Sequence, residues 1–98
     1  MFGSVFRMVP KDGKKQAVID YLEASQSDRD MRAVKGFISS YVYDTADGMW
    51  VAALFESEQA YRDNAGDPAQ DKWYRGIREL LQSDPEWHDG KIATSFVK

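Results

Sequence analysis

Apolar and polar residues alternate from Phe2 to Val9, with Phe6 and Met8 on one face and Val5, Arg7 and Val9 on the other, so this stretch predicts a strand. Pro10-Lys11-Asp12-Gly13 stops it, because proline lacks a ladder donor and glycine favours a turn. From Lys14 the period becomes helical. Val18, Tyr21, Leu22 and Ser25 stand at i, i+3, i+4 and i+7, with Ala17 beside them and Asp20 and Glu23 facing out. The polar run Ser27-Asp28-Arg29-Asp30 is expected to end that helix, and Met31 to Lys35 reads as connection. Gly36 to Tyr43, rich in aromatic and β-branched residues, predicts a second strand. Asp47-Gly48 marks a hairpin, and Met49 to Phe55 is the return strand. Ser57 is placed to cap a short helix through Asn64. Beyond Gly66, Asp67-Pro68-Ala69-Gln70 restarts a helix with an N-cap acid, Pro at N1 and Gln at N3. This helix is expected to bury Trp73, Gly76, Ile77, Leu80 and Leu81 and to end at Asp84-Pro85. Pro85 to Gly90 then reads as a turn, and Lys91 to Val97 alternates as a last strand.

The order β-α-β-β-α-β predicts a ferredoxin-like α+β fold over residues 1–98 as one domain. Its four-stranded antiparallel sheet should place strand three between strands one and two, with both helices on one face. Strand three then raises a difficulty. Met49, Val51, Ala53 and Phe55 are apolar on one face, and Trp50, Ala52 and Leu54 are apolar on the other, whereas a sheet with one wet face alternates apolar with polar. Helices cover only one face. At about 25 cal/mol per Å² of apolar surface, a second subunit's sheet is the cheapest cover for the other. A homodimer packed sheet to sheet is therefore expected, with a monomer tolerating an apolar patch as the alternative.

Composition narrows the partners. Thirteen Lys and Arg against 16 Asp and Glu give a net charge of -3, which argues against nucleic-acid binding by bulk electrostatics. With no cysteine, disulfides, thiolate metal sites and cysteine nucleophiles are excluded. The apolar-leaning start from Met1 to Pro10 is too short to span a membrane and lacks a charged leader, so no membrane partner and a cytoplasmic location are expected. No Asp/Glu/His cluster has metal-ligand spacing and no glycine-rich phosphate loop follows a strand, so no metal and no nucleotide cofactor are expected.

Several stretches together resemble the antibiotic biosynthesis monooxygenase domain family. They are Val9-Pro10 with Gly13-Lys14, Lys35-Gly36-Phe37, the hairpin, Leu54-Phe55-Glu56-Ser57-Glu58-Gln59-Ala60-Tyr61-Arg62, and Asp67-Pro68-Ala69-Gln70. The resemblance covers nearly the whole chain. It implies a dimeric α+β barrel formed as two sheets pack together, with a pocket in each subunit between sheet and helices. Members include cofactor-independent oxygenases of quinols and aromatic polyketides, and haem-degrading enzymes. The resemblance places the haem degraders' Asn, Trp and haem-ligating His at Val5, Asn64 and Trp73. All three differ, so haem degradation is not expected, and neither is any cofactor.

A cofactor-free oxygenase must bind a flat ring, favour its anion and keep water from the intermediate. The expected catalytic set is Trp73, Asn64 and Tyr61, with Arg7 assisting. Trp73 heads the inward face of the long helix and offers a stacking surface and an N–H donor; a plain core aromatic is the alternative. Asn64 stands at the helix break, where its amide either faces the pocket or caps the helix. Tyr61 lies three residues earlier on the same face, as a phenol donor or a half-buried structural residue. Arg7, a cation on a central strand, pairs either with a substrate anion or with an Asp or Glu across the dimer. Ser39 and Tyr41 are read as sharing a face with Phe37 and Tyr43. His88, the sole histidine, reads as a surface turn residue. The function expected is oxidation of a hydroxy-aromatic (quinol, anthrone or polyketide-like) by dioxygen. The alternative is a non-catalytic dimeric module that binds a small hydrophobic ligand.

Overall fold

In the computed structural model, residues 1–28 and 31–98 are described, and their elements follow the predicted order. Strand β1 (Phe2–Met8), helix α1 (Lys15–Asp28) and a 3-10 turn (Met31–Ala33) lead into strands β2 (Phe37–Thr45) and β3 (Gly48–Phe55); α2 (Glu58–Ala65), α3 (Pro68–Arg78) and β4 (Glu86–Lys91) complete the fold. The strands form one antiparallel sheet in the order β2-β3-β1-β4, so β3 lies between β2 and β1 as expected. Of the expected stop at 27–30, positions 29 and 30 lie outside the described residues, and α1 reaches Asp28.

Local chemistry explains the helix starts. Ser57 Oγ accepts the N–H of Ala60 at 3.1 Å, and an Asp67 carboxylate oxygen accepts the N–H of Ala69 at 2.8 Å, with Pro68 where no donor is needed. Gly36 takes φ +80°, a value side chains resist, and turns the chain into β2; its carbonyl accepts the Glu56 N–H at 2.7 Å. Phe6, Met8, Met49 and Val51 of the sheet pack against Val18 of α1, Ile77 of α3 and Leu81 in one buried cluster. At Gly76 α3 leaves room for a side chain of α1, because a Cβ there would run into the Tyr21 hydroxyl and ring. The opposite sheet face carries Val5, Tyr41 and Tyr43, all exposed.

Three expectations are corrected. The last strand is Glu86–Lys91, not Lys91 to Val97. It pairs with β1 from Arg7↔Glu86 to Phe2↔Lys91, and only the Ile92 N–H to Met1 carbonyl bond follows, so β1 runs out before the alternating tail begins. Pro85 precedes the strand, where its missing donor does no harm. Secondly, α3 stops at Arg78: Leu80 lies in the turn that follows, its N–H on the Ile77 carbonyl at 2.9 Å, and Leu81 makes an isolated bridge with Pro10. Lys11 N–H donates to the Leu80 carbonyl and Gln82 N–H to the Val9 carbonyl, both at 2.9 Å, which lays this segment beside the chain leaving β1. Thirdly, Ile38 is an extra residue in β2: Phe37 pairs with Phe55, yet Ser39 pairs with Leu54. This bulge puts Phe37 on the helix side, whereas Ser39, Tyr41 and Tyr43 face the other way.

Candidate functional site

Because side chains alternate along a strand, β1 and β3 send Phe6, Val51 and Ala53 toward the helices, and the bulge adds Phe37. Leu22 of α1, Tyr61 and Asn64 of α2, Trp73 and Tyr74 of α3 and Trp87 of β4 stand around them, enclosing a cavity of about 910 Å³. Val42 and Trp87 line it and stay 41% and 42% exposed, so it opens to solvent. Its volume suits a drug-sized ring system, and its lining is mainly aromatic and aliphatic.

The structure brings Trp73, Tyr61 and Asn64 together on this cavity and leaves Arg7 out. Arg7 stands one residue out of phase with Phe6 and Met8, so it points to the open sheet face. There its guanidinium reaches the Asp47 carboxylate at 3.5 Å and the Asp47 carbonyl at 3.2 Å, above the Trp50 ring. Its partner is thus an acid, one within its own chain. The Thr45 hydroxyl and the Trp50 N–H also donate to Asp47, and these bonds, with Arg7 beside it, hold its carboxyl below the ordinary 3.8. His88 also faces outward on β4, opposite Val5 and 3.6 Å from Glu86 Oε1, and is part of a strand rather than a turn.

Trp73 is held by a closed loop of hydrogen bonds between two helices. Its indole N–H donates to Ser25 Oγ at 2.7 Å, the Ser25 hydroxyl donates to the Tyr21 carbonyl at 2.6 Å, and the Tyr21 hydroxyl donates to the Trp73 carbonyl at 2.8 Å. The indole therefore presents a fixed ring to the cavity, its donor already engaged. Tyr61 is likewise fixed. Its ring lies 5.4 Å from Phe2 and 5.6 Å from Phe55, and its hydroxyl donates to Asp89 Oδ1 at 2.8 Å. Burial, and then the Asp89 carboxylate that receives its proton, push the Tyr61 pKa above the ordinary 10, with the neighbouring Ser4 hydroxyl pulling the other way. Burial and Asp84 raise Tyr74 in the same direction.

The sign of the pH effect follows. A phenol whose folded pKa exceeds its unfolded value adds stability that is complete below pH 10 and declines as pH rises through the folded pKa. In an alkaline titration read by phenolate absorbance, a late-ionising component is expected, and Tyr61→Phe together with Tyr74→Phe should remove it. A titration identical to wild type would refute the assignment.

Three residues at the cavity are absent from the expected set: Ser4, Trp87 and, through Tyr61, Asp89. Ser4 shares the phase of Phe6 and Met8. The other two alternate along Glu86–Lys91, a signal hidden by reading Pro85 as the opening of a turn. Among the described residues, no group of three or more His, Asp or Glu is placed to hold a metal ion, and no helix is long and apolar enough to cross a membrane.

No protein-family profile matches the chain. No curated protein matches by sequence. Solved structures do match over nearly the full length. ActVA-Orf6, a monooxygenase from Streptomyces coelicolor in complex with Nanaomycin D, superposes with TM-score 0.79 at 24% identity, over 99% of this chain and 90% of that one. Rv0793 from Mycobacterium tuberculosis gives 0.78 at 21%, over 96% of each chain. SnoaB, a cofactor-independent oxygenase from Streptomyces nogalater, solved as a mutant, gives 0.80 at 15%, over 99% and 97%. The fold expected from the sequence resemblance is therefore the fold found, the ferredoxin-like α+β fold of the antibiotic biosynthesis monooxygenases.

Proposed function

We infer that this chain, sharing the fold of cofactor-independent oxygenases, is itself a monooxygenase that oxidises a hydroxy-aromatic with dioxygen and no cofactor. The observation that carries the reading is the cavity, whose walls are the aromatic rings of Phe37, Tyr61, Trp73 and Trp87 with a few polar groups set among them. A quinol, anthrone or related polyketide fits between such rings. It supplies the electrons itself. Loss of a proton gives an electron-rich anion, dioxygen adds at a ring carbon, and the hydroperoxide collapses to a ketone and water. The protein's part is to clamp the ring against Trp73, to direct the Asn64 amide at the developing charge and to keep bulk water out. Trp73 and Asn64 are the proposed catalytic residues, with Tyr61 beside them. Arg7 drops out of the set, because it lies on the other face of the sheet.

That other face supports the homodimer. Val5 at 46%, Tyr41 at 62% and Tyr43 at 59% exposure surround Ala52, Trp50 and Leu54, an apolar surface suited to a second copy of itself.

The second reading, a dimeric module that binds a hydrophobic ligand without turning it over, is favoured by one observation: the Trp73 N–H and Tyr61 O–H are already engaged by Ser25 and Asp89. Oxygen uptake separates the two. With a panel of quinols and anthrones, wild type should consume oxygen. Trp73→Phe and Asn64→Ala should fold and lose roughly 100-fold in rate, the usual cost of one electrostatic donor or clamp. Uptake unchanged in both variants would sink the site assignment. Thermal stabilisation by the same compounds without any uptake would establish the binding module.

A further inference from the structure

The residues after β4 have the makings of a strand and no strand of their own to pair with. Ile92 to Val97 is rich in β-branched and aromatic residues and carries no charge before Lys98. The Ile92 N–H donates to the Met1 carbonyl at 3.0 Å, and among the described residues no further backbone bond holds the segment. Phe96 and Val97 consequently stand 94% and 89% exposed. The two edges of the sheet differ in how they meet such a segment. β4 carries Glu86, Asp89 and Lys91, the kind of charges that keep a foreign strand off an edge. β2, at the opposite edge, holds no lysine, arginine or proline, and its one acid, Asp44, is paired with Lys15 at 2.7 Å. Past the bulge at Ile38 its ladder is regular to Thr45, so its outer N–H and carbonyl groups form an open template.

The segment cannot use that template within its own subunit. Three strand spacings, about 15 Å, separate β4 from β2, and six extended residues span about 20 Å, so crossing the sheet leaves too few to pair. We propose that Ile92 to Val97 crosses to a second copy of the chain and adds as a strand along its β2, an exchange made twice by two-fold symmetry. The inference rests on the sheet-to-sheet homodimer read above, and it adds the element that joins the edges. Phase gives each side chain a place. Trp87, Asp89 and Lys91 stand opposite Phe6, Ser4 and Phe2 on the helix side, so continuing that alternation carries Ile92 and Phe96 on the open face. Those two bury in the interface against Tyr41 and Tyr43 of the second copy. Ala93, Ser95 and Val97 turn the other way, beside its Ser40 and Val42, where the cavity is open. Each cavity is thereby walled along β2 by the other subunit.

Amide hydrogen exchange, read beside light scattering at the same concentrations, tests the exchange of strands. Thr45 and Gly48 bond each other across the two-residue hairpin turn, so alternation leaves the N–H groups of Ser40, Val42 and Asp44 pointing out from β2. In a wild-type dimer these amides and those of residues 93–97 should be protected together, and dilution to monomer should release both. Phe96→Ser should raise the dimer dissociation constant about 100-fold, since each dimer loses two buried rings. A variant lacking residues 93–98 should be read where light scattering still finds it dimeric. There the Ser40, Val42 and Asp44 amides should exchange at least about tenfold faster than in wild type, because face packing alone does not occupy the edge. A wild-type dimer whose 93–97 amides exchange like unfolded chain would overturn the exchanged strand and leave the sheet-to-sheet dimer standing. Protection of 93–97 in a monomer would overturn it too, by showing that the segment folds onto its own subunit. A dissociation constant unmoved by Phe96→Ser would remove the segment from the interface. A wild type monomeric at every concentration, with 93–97 free, would overturn the dimer and the exchanged strand together.

Discussion

Ala52→Glu should yield a folded monomer of 11.2 kDa, where the proposed wild-type dimer has twice that mass. Ala52 lies at the middle of β3 and faces away from the helices, paired with Val5 on one side and Tyr41 on the other. Neither of these two neighbours offers a cation to a carboxylate at the centre of the face. In an isolated subunit the new side chain meets water and costs little beyond strand propensity. In a sheet-to-sheet dimer, symmetry buries it twice, and each unpaired carboxylate costs several kcal/mol. Two such penalties raise the dissociation constant by a factor of at least about 1,000. Light scattering at micromolar concentration, with circular dichroism as the check on folding, decides the matter. A wild type already at 11.2 kDa would remove the dimer altogether, and a dimeric Ala52→Glu protein would move the interface to another surface.

Leu81→Ala should be the most damaging of the single core truncations, costing about 3–5 kcal/mol of a total stability of roughly 5–15 kcal/mol. Leu81 is fully buried and closes the core cluster beneath Met8, Val18 and Ile77. It sits just past the turn that ends α3, where the Lys11–Leu80 and Gln82–Val9 bonds clamp the backbone. Clamped backbone relaxes poorly, so the space left behind stays open. Urea denaturation should show a lower midpoint with an unchanged slope. A loss under 1 kcal/mol would mean that the segment collapses to fill the gap and is not held as described.

The same segment shows where sequence reasoning stops. Ile77, Leu80 and Leu81 continue a helical pattern, and nothing in their order says that the helix ends at Arg78. What ends it is competition from outside: the carbonyls and N–H groups at Val9 and Lys11 offer partners that the sequence window around Leu80 does not contain. The helix caps, by contrast, are decided within three residues, and Ser57 and Asp67 were legible for that reason. Strand order was legible too, because hairpin and crossover rules leave little choice. The site was legible in part. Trp73 and Tyr61 follow from helical phase, Asn64 from the helix break before Gly66, and the pocket they line from the family resemblance. Their hydrogen-bond partners Ser25 and Asp89 lie 48 and 28 residues away, and only the folded chain brings them close. Arg7 was misplaced because its strand has two faces and charge does not tell which one a ligand uses.

The unmatched residue in β2 has a consequence for how this protein can change. Were Ile38 paired in the ladder like its neighbours, every side chain of that strand would keep one phase, and Phe37 would have to share its face with Tyr41 and Tyr43. The insertion resets the phase of the strand once, between Phe37 and Ser39. Phe37, Ser40 and Val42 then face the chamber, while Ser39, Tyr41 and Tyr43 face the other side of the sheet. Deleting Ile38 should therefore straighten the strand and leave Phe37 opposite Phe55 on the cavity side, since Phe37 and Ser39 already pair with successive residues of β3.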